Sequence, residues 1–272
     1  MLQLSQIKLL AINTVQKELR NKTIMFLMIF TVMTIIAAFA VIYALLQNED
    51  MEQMAQMFGY GISNFFVGFL GVWTLFISLL LGGHLVRSDI QENVLGQILA
   101  LPVKRSEYLA ARLIGGWLII MGFYLFTGLL IFVIFSTVSE QFVPVTAFLT
   151  SLVSMGMMVF VALLVSVFIS FYFPGVFSLV ASVILIFVIL ASNNYFSQRD
   201  ILEVFSKGDG LGIFFGIFYS LFPRIGELSR WNTSILSNVE LSQSHLPLVG
   251  HSLVSYLIIF LLLNILFKRK DL

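Results

Sequence analysis

The sequence predicts an all-α, polytopic integral membrane protein, with six transmembrane helices preceded by an amphipathic interfacial helix. Three observations predict it. Of the 272 residues, 59% are hydrophobic and 11% charged, whereas a soluble domain carries about 25% charged residues. Apolar side chains in that excess cannot all be hidden inside one globule, so they must face lipid. Six charge-poor stretches have the length of a span, and the basic residues gather on one set of connections.

The first 22 residues read as an amphipathic helix. Leu4, Ile7, Ala11, Val15 and Leu19 recur at steps of three and four, with Gln6, Asn13, Lys17 and Arg20 opposite. That pattern predicts a helix lying flat on the inner membrane surface, its cations near anionic headgroups. Glu18 and Lys22, four apart, are expected to pair across one turn. The apolar stretches follow at roughly 24–46, 58–86, 108–136, 145–170, 176–192 and 246–267, against the roughly 20 residues a span needs. Ala38-Phe39-Ala40 has the look of a signal-cleavage site. The run around it is too long for a signal peptide, so the first stretch is expected to remain as an anchor. No soluble domain fits between the spans. Residues 1–272 read as one transmembrane domain, with a cytoplasmic loop at 87–107 and an outer connection at 193–245. Within that connection the apolar piece 211–222 is too short to cross, and is expected to dip into the interface.

The positive-inside rule sets the orientation. With the N-terminus inside, the inner face holds Lys8, Lys17, Arg20, Lys22, Arg87, Lys104, Arg105, Arg112, Lys268, Arg269 and Lys270, and the outer segments hold Arg199, Lys207, Arg224 and Arg230. A seventh span would move Lys268–Lys270 outside, which the rule disfavours.

Several classes of chemistry are excluded. The chain has no cysteine and no phosphate-binding Gly-x-x-x-x-Gly-Lys-Ser/Thr loop, so no catalytic residue, cofactor or nucleotide hydrolysis is assigned to it. A net charge of +1 gives no argument for nucleic acid. Met51, Met54 and Met57 recur every third residue behind Glu49, Asp50 and Glu52. Thioethers at that spacing suit a soft ion such as Cu(I), but they are equally common filler where an apolar span begins. No metal is assigned.

The informative segment is 87–108. Asp89 and Glu92 suit a helix start, Val94, Leu95, Ile98, Leu99 and Leu101 form an apolar stripe, and Pro102 closes the helix. Lys104, Arg105 and Arg112 then hold the third span at the inner surface. Arg105 is expected to anchor the loop to headgroups or to close on an acid of the same loop. A short helix offered to a cytoplasmic partner accounts for this pattern better than a bare loop does.

Here the sequence resembles the membrane permease subunits of ABC type 2 exporters. Their first cytoplasmic loop reads acid-x-acid-x-Gly-Thr, then Pro-Val/Ile-x-Arg after a short helix. Asp89 matches the first acid; Gln91 replaces the second, with Glu92 beside it. Asn93 takes the Gly position and Val94 the Thr position, while Pro102, Val103, Arg105, Glu107 and Tyr108 match directly. Asn is the best non-glycine substitute where φ must be positive. Residues 16–22 resemble the family's elbow helix, and 267–272 its basic tail.

The resemblance implies a permease in the cytoplasmic membrane of a prokaryote, with both termini cytoplasmic. Its partners would be a separate cytoplasmic ABC ATPase, a second permease copy as homo- or heterodimer, and the lipid bilayer. Coupling residues would be Asp89, Glu92, Asn93, Pro102, Arg105 and, on the elbow, Glu18. Asn64 and Ser78, on a small and polar face of the second span, would line the translocation path, although plain helix packing explains that face equally well. Two other readings stay open on sequence alone. One is a self-contained channel or secondary transporter, which the bare spans disfavour; the other is a membrane scaffold.

Overall fold

A computed structural model of the chain describes residues 2–46, 52–92, 94–99, 103–136, 145–197, 199–236 and 245–269, and among these there is no strand. The helices are α1 (Leu2–Leu19), α2 (Lys22–Leu46), α3 (Glu52–Leu85), α4 (Arg87–Gln91), α5 (Val94–Leu99) and α6 (Arg105–Ser136). They continue with α7 (Val145–Ser170), α8 (Gly175–Tyr195), α9 (Ile201–Lys207), α10 (Gly210–Leu221), α11 (Ile225–Leu236) and α12 (Leu246–Arg269). Six are long and apolar enough to cross a membrane: α2, α3, α6, α7, α8 and α12. The six-span expectation holds.

The bundle is built around α7, which packs against α3, α6, α8, α11 and α12. Its buried face carries Ser151, Ser154, Gly156, Ala162, Ser166 and Ser170. Small residues let neighbouring backbones approach closely where no hydrophobic force separates helix from lipid. The serines carry their polarity into the core at little cost, because Ser151 and Ser170 donate to carbonyls of α7 itself. Gly156 has no side chain to shield its carbonyl, which accepts from Trp117 Nε1 at 2.8 Å. By contrast α2 and α8 are the least buried spans and carry long runs of exposed Phe, Ile and Val, as lipid-facing helices should.

The outer connection forms α9, α10 and α11, with α10 and α11 bent by 61° across a short break. Taken as one span, this pair would invert α12. The far end of α12 decides otherwise. Arg105, at the start of α6, donates to the carbonyls of Phe267 and Lys268 at 3.0 and 3.1 Å, and the Phe267 ring stacks on Tyr108 and meets Phe171 at a tilt. The start of α6 and the ends of α7 and α12 therefore share one side. The α10–α11 pair returns to the side it leaves, docked on α7 and α8 through Asn232 to Ser154 and Asn193 to the Gly226 amide.

Two local expectations are corrected. The loop helix expected across 89–102 is two shorter pieces, α4 and α5, separated at Glu92 and Asn93; Asn93 and Pro102 lie outside the described residues. Nor is the buried face of α1 the expected apolar stripe. The helix runs lengthwise and antiparallel against α6, with Thr14 beside Arg112 and Ala11 beside Gly115. Its inward face holds Ala11, Thr14 and Glu18, all buried, while Leu9, Ile12 and Leu19 are exposed.

The contact closes on Gly115, where an added Cβ would stand 2.6 Å from Thr14 Cβ and 2.8 Å from the Ala11 carbonyl. Backbone cannot yield there. Gly115→Val is expected to detach α1, at a cost of about 1–3 kcal/mol. Limited proteolysis between α1 and α2 checks it: cleavage should appear in the variant and be absent in wild type.

Candidate coupling site at one end of the bundle

The site begins with Asp89, in the first turn of α4 and fully buried. A bare carboxylate in that position would be very costly, so it is surrounded by donors. Oδ1 accepts from Lys17 Nζ at 2.7 Å. Oδ2 accepts from both Tyr108 Oη and Arg112 Nη2. Arg112, itself buried, donates through Nη1 to Thr14 Oγ1 at 3.0 Å, and its guanidinium lies over the Tyr108 ring. One carboxylate thus ties together α1, α4 and α6.

Lys17 extends the network outward, to Ser88 Oγ and to Glu92 Oε2, each at 3.1 Å. Burial alone would lower the Lys17 pKa, but its hydrogen bonds to Asp89 and Glu92 and their charges overcome this and raise it above 10.5. Its contribution is therefore complete below about 10.5 and is lost only as pH climbs through the raised value. This tie does not respond to pH in the physiological range.

Asp89 and Glu92, paired by sequence as two acids facing a partner, have different surroundings. Both Asp89 oxygens are occupied inside the chain, whereas the Glu92 side chain is 55% exposed. Glu18 is fully buried and lacks a hydrogen-bond partner. The basic group beside it is the His84 ring, with Nδ1 at 3.5 Å, and not the expected Lys22, which sits beyond the break between α1 and α2. Arg105 also caps the last turn of α12, where a cation meets the negative end of the helix dipole. Arg87 treats α7 the same way, donating to the carbonyls of Ser170 and Phe173 at 3.0 and 2.9 Å. Glu107 reaches back to the Lys104 amide at 3.1 Å and caps the start of α6.

Ser78 lies in the packed interior, its hydroxyl donating to the Thr74 carbonyl at 2.6 Å. The side chain of Asn64 falls outside the described residues, as do Met51 and the side chains of Met54 and Met57. Sequence reasoning missed Thr14, Lys17 and Arg112 as members of the site. Arg112 carried a usable signal, because a guanidinium inside an otherwise uncharged apolar stretch demands a partner.

No curated protein and no solved structure matches the chain. The family model described as ABC-2 family transporter protein matches residues 14–193, from the middle of α1 to the end of α8. With more than half its length matched, the chain belongs to the ABC-2 family of transporter membrane proteins, as a permease.

Proposed function

We propose that this permease is the membrane half of an ATP-driven exporter, working as a dimer with two copies of a separate cytoplasmic ATPase, both its termini facing the cytoplasm. The observation that carries this reading is the Asp89 latch. The segment between α3 and α6 is not an idle loop, because its first helix is bound through one buried carboxylate to α1 and α6. A partner pressing on α5 and on exposed Glu92 therefore moves α4 against Lys17 and Arg112, and through them the elbow and the third span. Asp89 acts by transmitting the displacement, and Glu92 is the acid placed to touch the partner. A charge-assisted hydrogen bond shielded from water there is worth about 1.5–3 kcal/mol.

Glu92→Arg is expected to leave the permease folded and inserted while reducing ATPase co-purification and transport at least tenfold. Full ATPase recovery and wild-type transport with Glu92→Arg would remove this segment as the lever. Orientation is checked separately. Because the chain has no native cysteine, single cysteines at Gln97 and Ser206 report cleanly. An impermeant thiol reagent on intact cells should label position 206 and spare position 97.

A further inference from the structure

The inner ends of α2, α3 and α8 do not close on one another, and leave a cleft of about 360 Å³. Its lining, from α2, α3, α4, α8 and Asn21, sorts into an apolar part and a polar part. Ile24, Leu27, Leu79 and Leu179 form an apolar wall toward the membrane interior. Asn21, Thr23, His84, Arg87 and Gln91 form a polar mouth at the inner end.

The mouth is electropositive by construction. The Arg87 guanidinium lines it beside the His84 ring, and among the described residues no carboxylate does. The N-termini of α2 and α8 both open onto it, through Thr23 and Gly175, and each brings the positive end of a helix dipole. Pro174, the residue before α8, gives no side-chain cap.

Buried polar groups around the cleft lack partners. Arg87 spends Nη1 on the end of α7, but its buried Nε has no acceptor. Ser178, 1% exposed, has a hydroxyl with no partner beside Gly83 of the cleft wall. His84 turns Nδ1 toward the buried carboxylate of Glu18, which leaves Nε2 as the ring nitrogen for the cleft. Buried donors without acceptors call for a ligand that supplies them.

We propose that this cleft binds an anionic phospholipid of the adjacent leaflet, its phosphate among His84, Arg87 and the N-terminus of α8 and an acyl chain along the apolar wall. The paired apolar wall favours a lipid over a free phosphate. The absence of a lining carboxylate disfavours a zwitterionic headgroup, whose ammonium would have no counter-charge. Only the choice of the inner leaflet rests on the proposed orientation. Binding itself needs neither ATPase nor transport, so failure of the exporter reading and failure of the lipid site are separable.

The test is native mass spectrometry of the full chain in detergent, titrated with phosphatidylglycerol or phosphatidylcholine. Wild type should retain one phosphatidylglycerol at concentrations at least tenfold below those needed for phosphatidylcholine. His84→Gln with Arg87→Gln should bring the two lipids level. Because Arg87 also caps α7, Leu80→Trp serves as an independent variant: it fills the wall, leaves the cations in place, and should weaken phosphatidylglycerol at least tenfold. Excess glycerol 3-phosphate should not displace the lipid. Equal retention of the two lipids by wild type, undiminished binding in Leu80→Trp, or displacement by glycerol 3-phosphate would each overturn the proposal, the last in favour of a soluble phosphate.

Discussion

Asp89→Ala is expected to cost the permease about 3–5 kcal/mol, because it strands a buried guanidinium. Arg112 would lose its carboxylate partner, Lys17 would lose its shortest contact, and the Tyr108 hydroxyl its acceptor. Glu92→Ala, which removes a half-exposed carboxylate, should change stability by no more than about 0.5–1 kcal/mol. The contrast is the prediction: two acids three residues apart, with outcomes that differ severalfold. The thermal midpoint of the purified variants in detergent reads it. Asp89→Leu combined with Arg112→Met should recover much of the loss, since replacing both ends of a buried pair with apolar groups is often neutral. That double variant also isolates coupling from folding. If it folds but no longer answers the ATPase, the latch transmits motion. If it transports normally, Asp89 serves stability alone.

Arg105→Glu is expected to free the inner end of α12. The substitution removes charge-assisted bonds to two carbonyls, worth about 1.5–3 kcal/mol when donor and acceptor are shielded. It then sets a carboxylate against the negative end of the same helix dipole. It also takes a cation from the start of the third span, where the proposed orientation and the positive-inside rule place one. Arg105→Lys should retain part of the effect, because one ammonium cannot hold two carbonyls as a planar guanidinium does. The expected order of stability is Arg, Lys, Ala, Glu. Protease access to the 267–269 turn and the yield of inserted protein both report it. Equal protection of that turn in all four proteins would show that the aromatic contacts of Phe267 with Tyr108 and Phe171 hold α12 without the cap.

The spans were legible because lipid imposes a simple requirement on them: about 20 apolar residues and few charges. The short fifth stretch at 176–192 sits inside α8, whose last turn is completed by Asn193 and Asn194, residues that read as loop by hydropathy. Asn193 is nonetheless buried, holding the Ile189 carbonyl and the Gly226 amide. The face of α1 was misread for a related reason. Periodicity sorts residues by polarity and cannot tell that Thr14, Lys17 and Glu18 are wanted inside by Arg112, Asp89 and His84. Those partners lie 98, 72 and 66 residues away in sequence, and nothing local announces them. The same distance hid Arg105, whose acceptors are backbone carbonyls and leave no trace in side-chain chemistry. The docking of α10 onto α8 and of α11 onto α7 escaped as well, since the small residues that admit them look like ordinary span composition.

The cap on α12 also sets an order of assembly. Arg105 and its carbonyl partners are separated by 162 residues, so at roughly 5–20 residues per second the ribosome needs about 8 to 30 seconds to supply them. Through that interval the third span is already in the membrane, its guanidinium at the surface with no helix end to hold. The Tyr108 ring waits equally for Phe267. This end of the bundle can take its final shape only once the last turn of α12 has left the ribosome. A nascent chain halted before that turn would leave the Arg105 guanidinium without these two carbonyl acceptors and Tyr108 without its stacking partner.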